Sequence, residues 1–244
     1  CLLFPLISFP QKKFITRGHA TGEIYISSVW HYIYETNEWF SAIFYSNDNG
    51  KTIGIRYFQE ALTAEMPIAN LSSDKTGNVI YNGWQKKLWI TQDGAYNWQE
   101  LIPPGDYTNT FAAGCSAGEI YIRNNDLGVL RSLDYGENFE VMASDVIGGF
   151  IEVGTEDGEV YLRDAPSLYN DPYLRIYYSS NYGQDFNLQC ELDTISGGFA
   201  YPVISRGSTP GELYLVTWHK PKSYKIQYSN DYGQNFEPRF TSST

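Results

Sequence analysis

Short apolar and aromatic runs alternate with polar, glycine-containing turns along the whole chain. The runs are rich in β-branched and aromatic side chains, as in AIFYS at 42–46, VLRSL at 129–133 and KIQYS at 225–229. Such residues favour strands, and no window shows a sustained helical period. The pattern therefore predicts an all-β protein built from short antiparallel strands.

An eight-residue motif recurs five times, beginning at Ser46, Thr91, Ser132, Ser179 and Ser229. Its fifth copy reads SNDYGQNF, and successive copies are 45, 41, 47 and 50 residues apart. Self-similarity at a period of this length is typical of repeat architectures such as propellers. The spacing therefore predicts five structural repeats.

The residue types of the motif suit a tight turn between two strands. Ser or Thr comes first, an Asp or Asn two residues later can bond local backbone N–H groups, and a following Gly supplies a positive φ. An aromatic residue then opens the next strand. The turn residues we expect are Ser46, Asp48 and Gly50; Asp93 and Trp98; Ser132, Asp134, Gly136 and Phe139; Ser179, Asn181, Gly183 and Phe186; and Ser229, Asp231, Gly233 and Phe236. Three copies depart from the pattern, with Ile53 for the aromatic, Ala95 for Gly and Asn181 for Asp.

The motif resembles the Asp-box, or bacterial neuraminidase repeat, which in that family joins the third and fourth strands of a β-propeller blade. The resemblance implies a β-propeller with five Asp-box blades in this chain. It also implies that the turn residues are structural, because in that family they lie away from the active site.

A second sequence motif precedes each turn and completes the repeat. This motif is a Gly-Glu pair followed by a predicted strand, and the second repeat has a variant of it. The copies start at Gly22, Gly118, Gly158 and Gly211, and the variant is Gly77-Asn78-Val79-Ile80. Each repeat then consists of strand, glycine turn, strand, variable loop, strand, Asp-box and strand, which is a four-stranded antiparallel blade. We expect one domain over 1–244, with blades at about 11–60, 61–105, 106–145, 146–193 and 194–240.

Residues 1–10 fall outside this register, and two interpretations are open. Either an N-terminal strand helps to close a five-bladed ring, or the chain is part of a longer propeller of six or seven blades, which we slightly favour. The chain begins with Cys1, which is consistent with a processed or excised piece of a larger polypeptide.

Antiparallel strand order sorts the connections onto two faces. The Gly-Glu turns and the Asp-boxes share one face, and the loops between strands 2 and 3 lie on the other. Only the latter vary much in length, and such loops commonly carry function. Aromatic rings beside hydrogen-bonding groups suit sugars or an extended polypeptide. The candidate ligand-binding residues are Trp30, His31, Trp84, Trp218 and His219. The competing interpretation is that these aromatics pack between blades.

Composition excludes several classes of function. The formal net charge is −11, and the 17 basic residues are not gathered into a phosphate-binding stripe, so nucleic acid is not an expected partner. No apolar run approaches the length of a membrane span. The three cysteines and three histidines lack metal-ligand spacing. We expect neither a metal nor a cofactor.

Catalysis finds little support in the sequence. A glycosidase needs two suitably spaced carboxylates, and Glu152 and Glu156 would lie too far apart along one extended strand. A sialidase of the resembling family would also need three arginines. Only Arg17 and Arg206 sit at the ends of inner strands, and the Arg-Ile-Pro motif is absent.

The fifth repeat, PGELYLV followed by YSNDYGQNFE, resembles propellers of secreted Bacteroidetes proteins with type IX sorting domains. The resemblance implies a secreted or cell-surface location. We expect a non-catalytic binding or adhesion module for a carbohydrate or surface protein. The alternatives are a glycoside hydrolase with carboxylates from several blades and a passive scaffold domain.

Overall fold

In the part of the chain that the computed structural model describes, twenty strands form five four-stranded antiparallel sheets. The structure describes residues 15–33, 38–60, 70–77, 80–84, 87–105, 107–144, 149–164, 173–193, 202–219 and 223–242. These ranges contain no helix. The predicted all-β class and four-stranded blade are therefore confirmed.

Every blade uses four strands that are consecutive in the chain. Blade 1 contains β1 (Ile15–Arg17), β2 (Ile24–Ile33), β3 (Glu38–Ser46) and β4 (Gly54–Glu60). Blade 2 contains β5 (Asn70–Ser73), β6 (Ile80–Trp84), β7 (Lys87–Thr91) and β8 (Gln99–Leu101). Blade 3 contains β9 (Tyr107–Ala113), β10 (Ile120–Asn124), β11 (Gly128–Ser132) and β12 (Glu140–Ala143). Blade 4 contains β13 (Phe150–Val153), β14 (Val160–Asp164), β15 (Tyr173–Ser179) and β16 (Asn187–Asp193). Blade 5 contains β17 (Val203–Arg206), β18 (Leu213–His219), β19 (Ser223–Ser229) and β20 (Glu237–Thr241).

The first strand of each blade lies nearest the centre of the molecule. Strand β1 contacts β5, β5 contacts β9, β9 contacts β13, and β13 contacts β17. One central cavity is lined by residues of all five of these strands or of the turns that follow them. The chain is therefore a five-bladed β-propeller. Residues 1–14, which include the segment outside the repeat register, lie outside the described residues.

The hydrophobic core consists of clusters between adjacent blades. Tyr81 of blade 2 and Phe111 of blade 3 belong to one cluster, and Tyr161 of blade 4 and Ile204 of blade 5 belong to another. All four side chains are almost fully buried. Burying a large apolar side chain stabilises a fold by about 1.5–3 kcal/mol. The blades therefore depend on one another for stability.

The predicted turn between strands 3 and 4 is present in all five blades, and we call it the repeated turn (46–53, 91–98, 132–139, 179–186 and 229–236). In blade 3 the Ser132 hydroxyl donates to the Asp134 carboxylate at 2.8 Å and accepts from the Gly136 N–H at 2.9 Å. Asp134 also accepts the Asn138 N–H at 2.9 Å. The first two bonds recur in the other four copies. The Ser/Thr and Asp/Asn side chains thus satisfy donors that a tight turn leaves unpaired.

Two successive residues of each repeated turn adopt the left-handed conformation, one more than the sequence suggested. Tyr135 has a φ of 62° and Gly136 a φ of 86°. The variant turn of blade 2 reverses the order of residue types, with Gly94 at 71° and Ala95 at 68°. A non-glycine residue pays about 1–2 kcal/mol for this conformation, so the hydrogen bonds of the turn must offset a local strain.

The repeated turn lies beside the turn that joins strands 1 and 2 of the same blade. The Tyr135 N–H donates to the Gly118 carbonyl at 3.0 Å, and Asn49, Tyr182 and Tyr232 make the matching bond in blades 1, 4 and 5. The two kinds of turn therefore share one face of the propeller, as predicted. We call it the turn face, and its opposite the far face.

The aromatic residue that ends four of the repeated turns packs into the core. Trp98, Phe139, Phe186 and Phe236 each lie against the cluster between their own blade and the preceding one. Ile53, which replaces the aromatic in blade 1, is 54% exposed. The aromatic residue at this position therefore links the repeated turn to the core between two blades.

Blade 2 closes its first turn differently from the other blades. Ile80 pairs with Ser73 and Thr91, whereas Ile120 of blade 3 pairs with Ala113 and Ser132. Ile80 therefore corresponds to Ile120. Gly77 precedes Ile80 by three residues, whereas Gly118 precedes Ile120 by two, so the glycine of blade 2 is displaced by one residue from the Gly-Glu position. The buried Asp74 carboxylate accepts the Gly77 N–H at 2.8 Å and closes this turn from its other end.

Candidate functional site

The five predicted ligand residues lie on strands rather than in loops. Trp30 and His31 belong to β2, Trp84 ends β6, and Trp218 and His219 end β18. The strands extend to these positions, where His31 pairs with Phe40 and Trp218 pairs with Tyr224. Aromatic residues favour strands, which is consistent with this extension. The side chains of the five residues lie outside the described part of the structure. Their role in binding stays a prediction.

A cavity of about 590 Å³ occupies the centre of the propeller. Its lining includes residues of the inner strands and of the turns that follow them. The chemistry-bearing side chains are Arg17, Lys75, Cys115, Glu152, Thr155 and Arg206. Because five of the six lie at or beyond the carboxyl ends of their inner strands, the cavity reaches the turn face. The variable lengths of the loops between strands 2 and 3 predict a site on the far face instead.

Two arginines of this lining are anchored across the seams between blades. The Arg206 guanidinium donates to the Gly154 carbonyl of blade 4 at 2.8 Å. The Arg17 guanidinium donates to the Lys75 carbonyl of blade 2. The prediction that both arginines end inner strands is confirmed, and the structure adds Lys75 as a third cation of the same lining.

Cys115 lies between these cations without being an activated thiol. Its Sγ atom lies 3.6 Å from the Gly154 carbonyl oxygen and 3.4 Å from that of Glu156. Burial raises the pKa of the thiol, and the nearby charges of Arg206 and Lys75 lower it by less. A raised pKa keeps the sulfur protonated near neutral pH, so this cysteine suits packing better than nucleophilic chemistry.

The Gly-Glu glutamates close the turns between strands 1 and 2. Glu159 accepts the Thr155 N–H at 2.8 Å, the Glu156 N–H at 3.0 Å and the Tyr161 hydroxyl. It also accepts the Gly211 N–H of blade 5 at 2.9 Å. The sequence showed the recurrence of the Gly-Glu pair, but nothing in the spacing indicated that the carboxylate folds back onto the turn.

A glycine makes room for each of these carboxylates. A Cβ atom at Gly154 would lie 2.0 Å from the Glu159 side chain, and one at Gly114 would lie 2.3 Å from Glu119. Gly18 and Gly207 stand in the same relation to Glu23 and Glu212. This glycine and the Gly-Glu pair therefore form one structural unit in four of the blades.

The glutamate of blade 5 predicts an acid-sensitive turn. Hydrogen bonds from the Tyr228 hydroxyl and from the Thr209 and Ser208 N–H groups lower the pKa of Glu212 to about 2. A carboxyl group whose pKa is lowered by folding stabilises the fold above its ordinary pKa of 4.5, and this contribution is lost as the pH falls towards 2. We expect the melting temperature to fall over this window, and to fall less in Glu212→Gln. Melting curves between pH 6 and pH 2.5 test this, and an unchanged pH profile in the variant would contradict it.

Among the described residues, the cavity lining contains no carboxylate pair of the kind that a glycosidase needs. Glu152 is the one carboxylate among the described residues that line it. Glu156 lies beyond the end of β13, in the turn, where its N–H donates to Glu159. The two glutamates are thus not on one strand as expected, and Glu156 is not part of the lining.

The described residues also bear on metal binding and membrane insertion. Within the described ranges, no group of three or more His, Cys, Asp or Glu residues could hold a metal ion. The same ranges contain no helix with the length and apolar character needed to cross a bilayer.

Solved structures of β-propellers are similar to this chain. The GH74 xyloglucanase from Xanthomonas campestris is 15% identical over 90% of this chain with a TM-score of 0.60, and the chain spans 36% of its length. YCF48 from Cyanidioschyzon merolae is 12% identical over 96% of this chain and 86% of its own, with a TM-score of 0.50. YCF48 bound to D1 peptide is 16% identical over 96% of this chain and 84% of its own, with a TM-score of 0.48.

These similarities concern the fold, because identities this low say nothing of the site. A scan against protein-family models finds no match, and a search of curated proteins finds no similar sequence. The function must therefore be argued from the residues themselves.

Proposed function

We propose that this chain is a non-catalytic binding or adhesion module that recognises a carbohydrate or a surface protein outside the cell. The observation that supports this proposal is that acidic side chains in the described turns accept hydrogen bonds from the turns themselves. The glutamates of the Gly-Glu pairs close turns, and the Asp and Asn residues of the repeated turns bond their own backbone. Carboxylates occupied in this way are poor general acids or nucleophiles.

The repeated turns also support assignment to the Asp-box class of propellers. In each turn, the Ser/Thr and Asp/Asn side chains form hydrogen bonds that hold the turn together. The resemblance to the Asp-box family implies such a structural role for these residues. We therefore propose that the turns are Asp-boxes. The likeness of the fifth repeat to secreted Bacteroidetes propellers with type IX sorting domains supports a secreted or cell-surface location.

The candidate ligand site is the far-face end of the second strands, at Trp30, His31, Trp84, Trp218 and His219. In a five-bladed ring, blades 1 and 5 are neighbours, so the two Trp-His pairs belong to adjacent blades. Aromatic rings with neighbouring donors can supply stacking and orientation for a sugar or a polypeptide.

Binding and hydrolysis assays on the same preparations test the proposal. A glycan array and a pull-down from cell-surface extracts should identify a ligand for the wild type, and the double variant Trp30→Ala/Trp218→Ala should lose it while keeping its melting temperature. Tyr96→Ala is the control, because Tyr96 is a 61% exposed aromatic on the turn face. Its binding should stay unchanged.

Two results would contradict the proposal. Binding that survives the double variant would rule out this site. Release of reducing ends from xyloglucan or another polysaccharide would favour the glycoside hydrolase alternative, which the fold similarity to a xyloglucanase makes worth assaying. A folded protein that binds no ligand in either assay would favour a passive scaffold.

A further inference from the structure

Positive charge is concentrated at the turn-face end of the central cavity, although the protein carries a formal net charge of −11. Arg17, Lys75 and Arg206 line this end, and we call these three residues the basic mouth. Among the described residues that line the cavity, Glu152 is the single opposing carboxylate. A cleft lined mainly by one sign of charge focuses the electric field and attracts counter-ions.

The cations of the basic mouth come from three blades, and the two arginines are held in place. Arg17 and Arg206 each donate to a carbonyl of a neighbouring blade. A guanidinium has five N–H donors in a fixed fork, so one such bond orients the group and leaves donors for a ligand. Lys75 is exposed and lines the same cavity. Within the described ranges, no carboxylate lies within ion-pair distance of any of the three.

The rest of the lining favours a small charged ligand over a neutral sugar. The described side chains around the cavity include the hydroxyls of Thr16, Ser73 and Thr155, and no aromatic ring on which a sugar could stack. The volume of about 590 Å³ is in the usual range for small-molecule sites. The lining residues themselves supply three cations and one carboxylate. The carboxylates of Glu119, Glu159 and Glu212 are occupied by hydrogen bonds from the Cys115, Thr155 and Ser208 N–H groups of the lining turns.

We propose that the basic mouth binds a small oxyanion of charge −2, either a dicarboxylate or a phosphate. Guanidinium forks bind the oxygens of both groups in the same way. The site lies on the turn face, so it is separate from the aromatic residues of the far face and does not depend on them.

Isothermal titration at pH 7 and low ionic strength tests the proposal. Succinate and inorganic phosphate are the two probes, and acetate is the singly charged control. We expect a dissociation constant in the millimolar range or tighter for at least one probe, and binding about tenfold weaker for acetate. Heat from succinate alone identifies the dicarboxylate source, heat from phosphate alone identifies the phosphate source, and heat from both supports their shared chemistry.

Variants that remove one charge at a time locate the binding. Arg206→Gln and Lys75→Gln should each weaken binding about tenfold, as expected for the loss of a charged hydrogen bond. Arg239→Gln is the matched control, because Arg239 lies on the outer strand β20 and stacks on Tyr228. If Arg206→Gln unfolds, Lys75→Gln decides, since its side chain is exposed and makes no described hydrogen bond. No binding of either probe at 10 mM, or equal binding by the Lys75 and Arg239 variants, would overturn the proposal.

Discussion

Glu159→Ala is expected to be the most destabilising single change in the turns of this propeller, lowering the free energy of unfolding by about 3–5 kcal/mol. The side chain is 2% exposed, and its carboxylate accepts from the Thr155, Glu156 and Gly211 N–H groups and from the Tyr161 hydroxyl. Each buried donor left without an acceptor costs about 1–3 kcal/mol. The Gly211 bond also links blade 4 to blade 5, so its loss weakens the seam between them.

Chemical denaturation of three variants separates this explanation from a general effect of losing a glutamate. Glu159→Gln keeps one acceptor oxygen and should lose less stability than Glu159→Ala. Glu23→Ala removes the corresponding residue of blade 1, which accepts from Ala20 and Tyr45 within its own blade. We expect it to cost about 1 kcal/mol. Equal losses of unfolding free energy in Glu23→Ala and Glu159→Ala would show that the hydrogen bond from Gly211 to Glu159 does not account for the effect.

Gly77→Ala is expected to be nearly as damaging, with a loss of about 3 kcal/mol in the free energy of unfolding. Gly77 has a φ of 70°, which an alanine adopts at a cost of about 1 kcal/mol. Its added Cβ atom would lie 2.1 Å from the Gly18 carbonyl oxygen of blade 1. Because that atom belongs to the backbone of another blade, the blades must move apart, and overpacking of this kind costs about 1–3 kcal/mol more.

Gly54→Ala is the matched control for this prediction. Gly54 begins the outer strand β4, where an added Cβ atom meets no other atom within 4 Å. Its φ is not in the left-handed region. We expect unchanged or slightly higher stability, because alanine restricts the unfolded chain more than glycine does. Similar denaturation midpoints for the Gly77 and Gly54 variants would mean that blades 1 and 2 can move apart at Gly18 and Gly77 with little loss of stability, which would contradict the prediction.

The residues of the candidate sites differ in how well the sequence alone could predict them. Arg17 and Arg206 were recognisable as residues that end inner strands, because the strand runs and the glycine turns are local patterns. Lys75 gave no such signal, since it stands in the irregular turn of blade 2. That it lines the same cavity follows only from the ring of blades, which places residues far apart in the chain around one centre.

The sequence by itself determined the repeated unit, the order of four strands within it and the chemistry of its turns. These features depend on contacts between residues close together in the chain, such as the Ser132 hydroxyl with the Gly136 N–H. Only the tertiary structure decided the extent of β2 and the blade-2 register. It also decided the bond from Gly211 to Glu159 and the position of the basic mouth. Those features depend on how neighbouring strands and blades pack, and packing between distant residues leaves no fixed spacing in a single sequence.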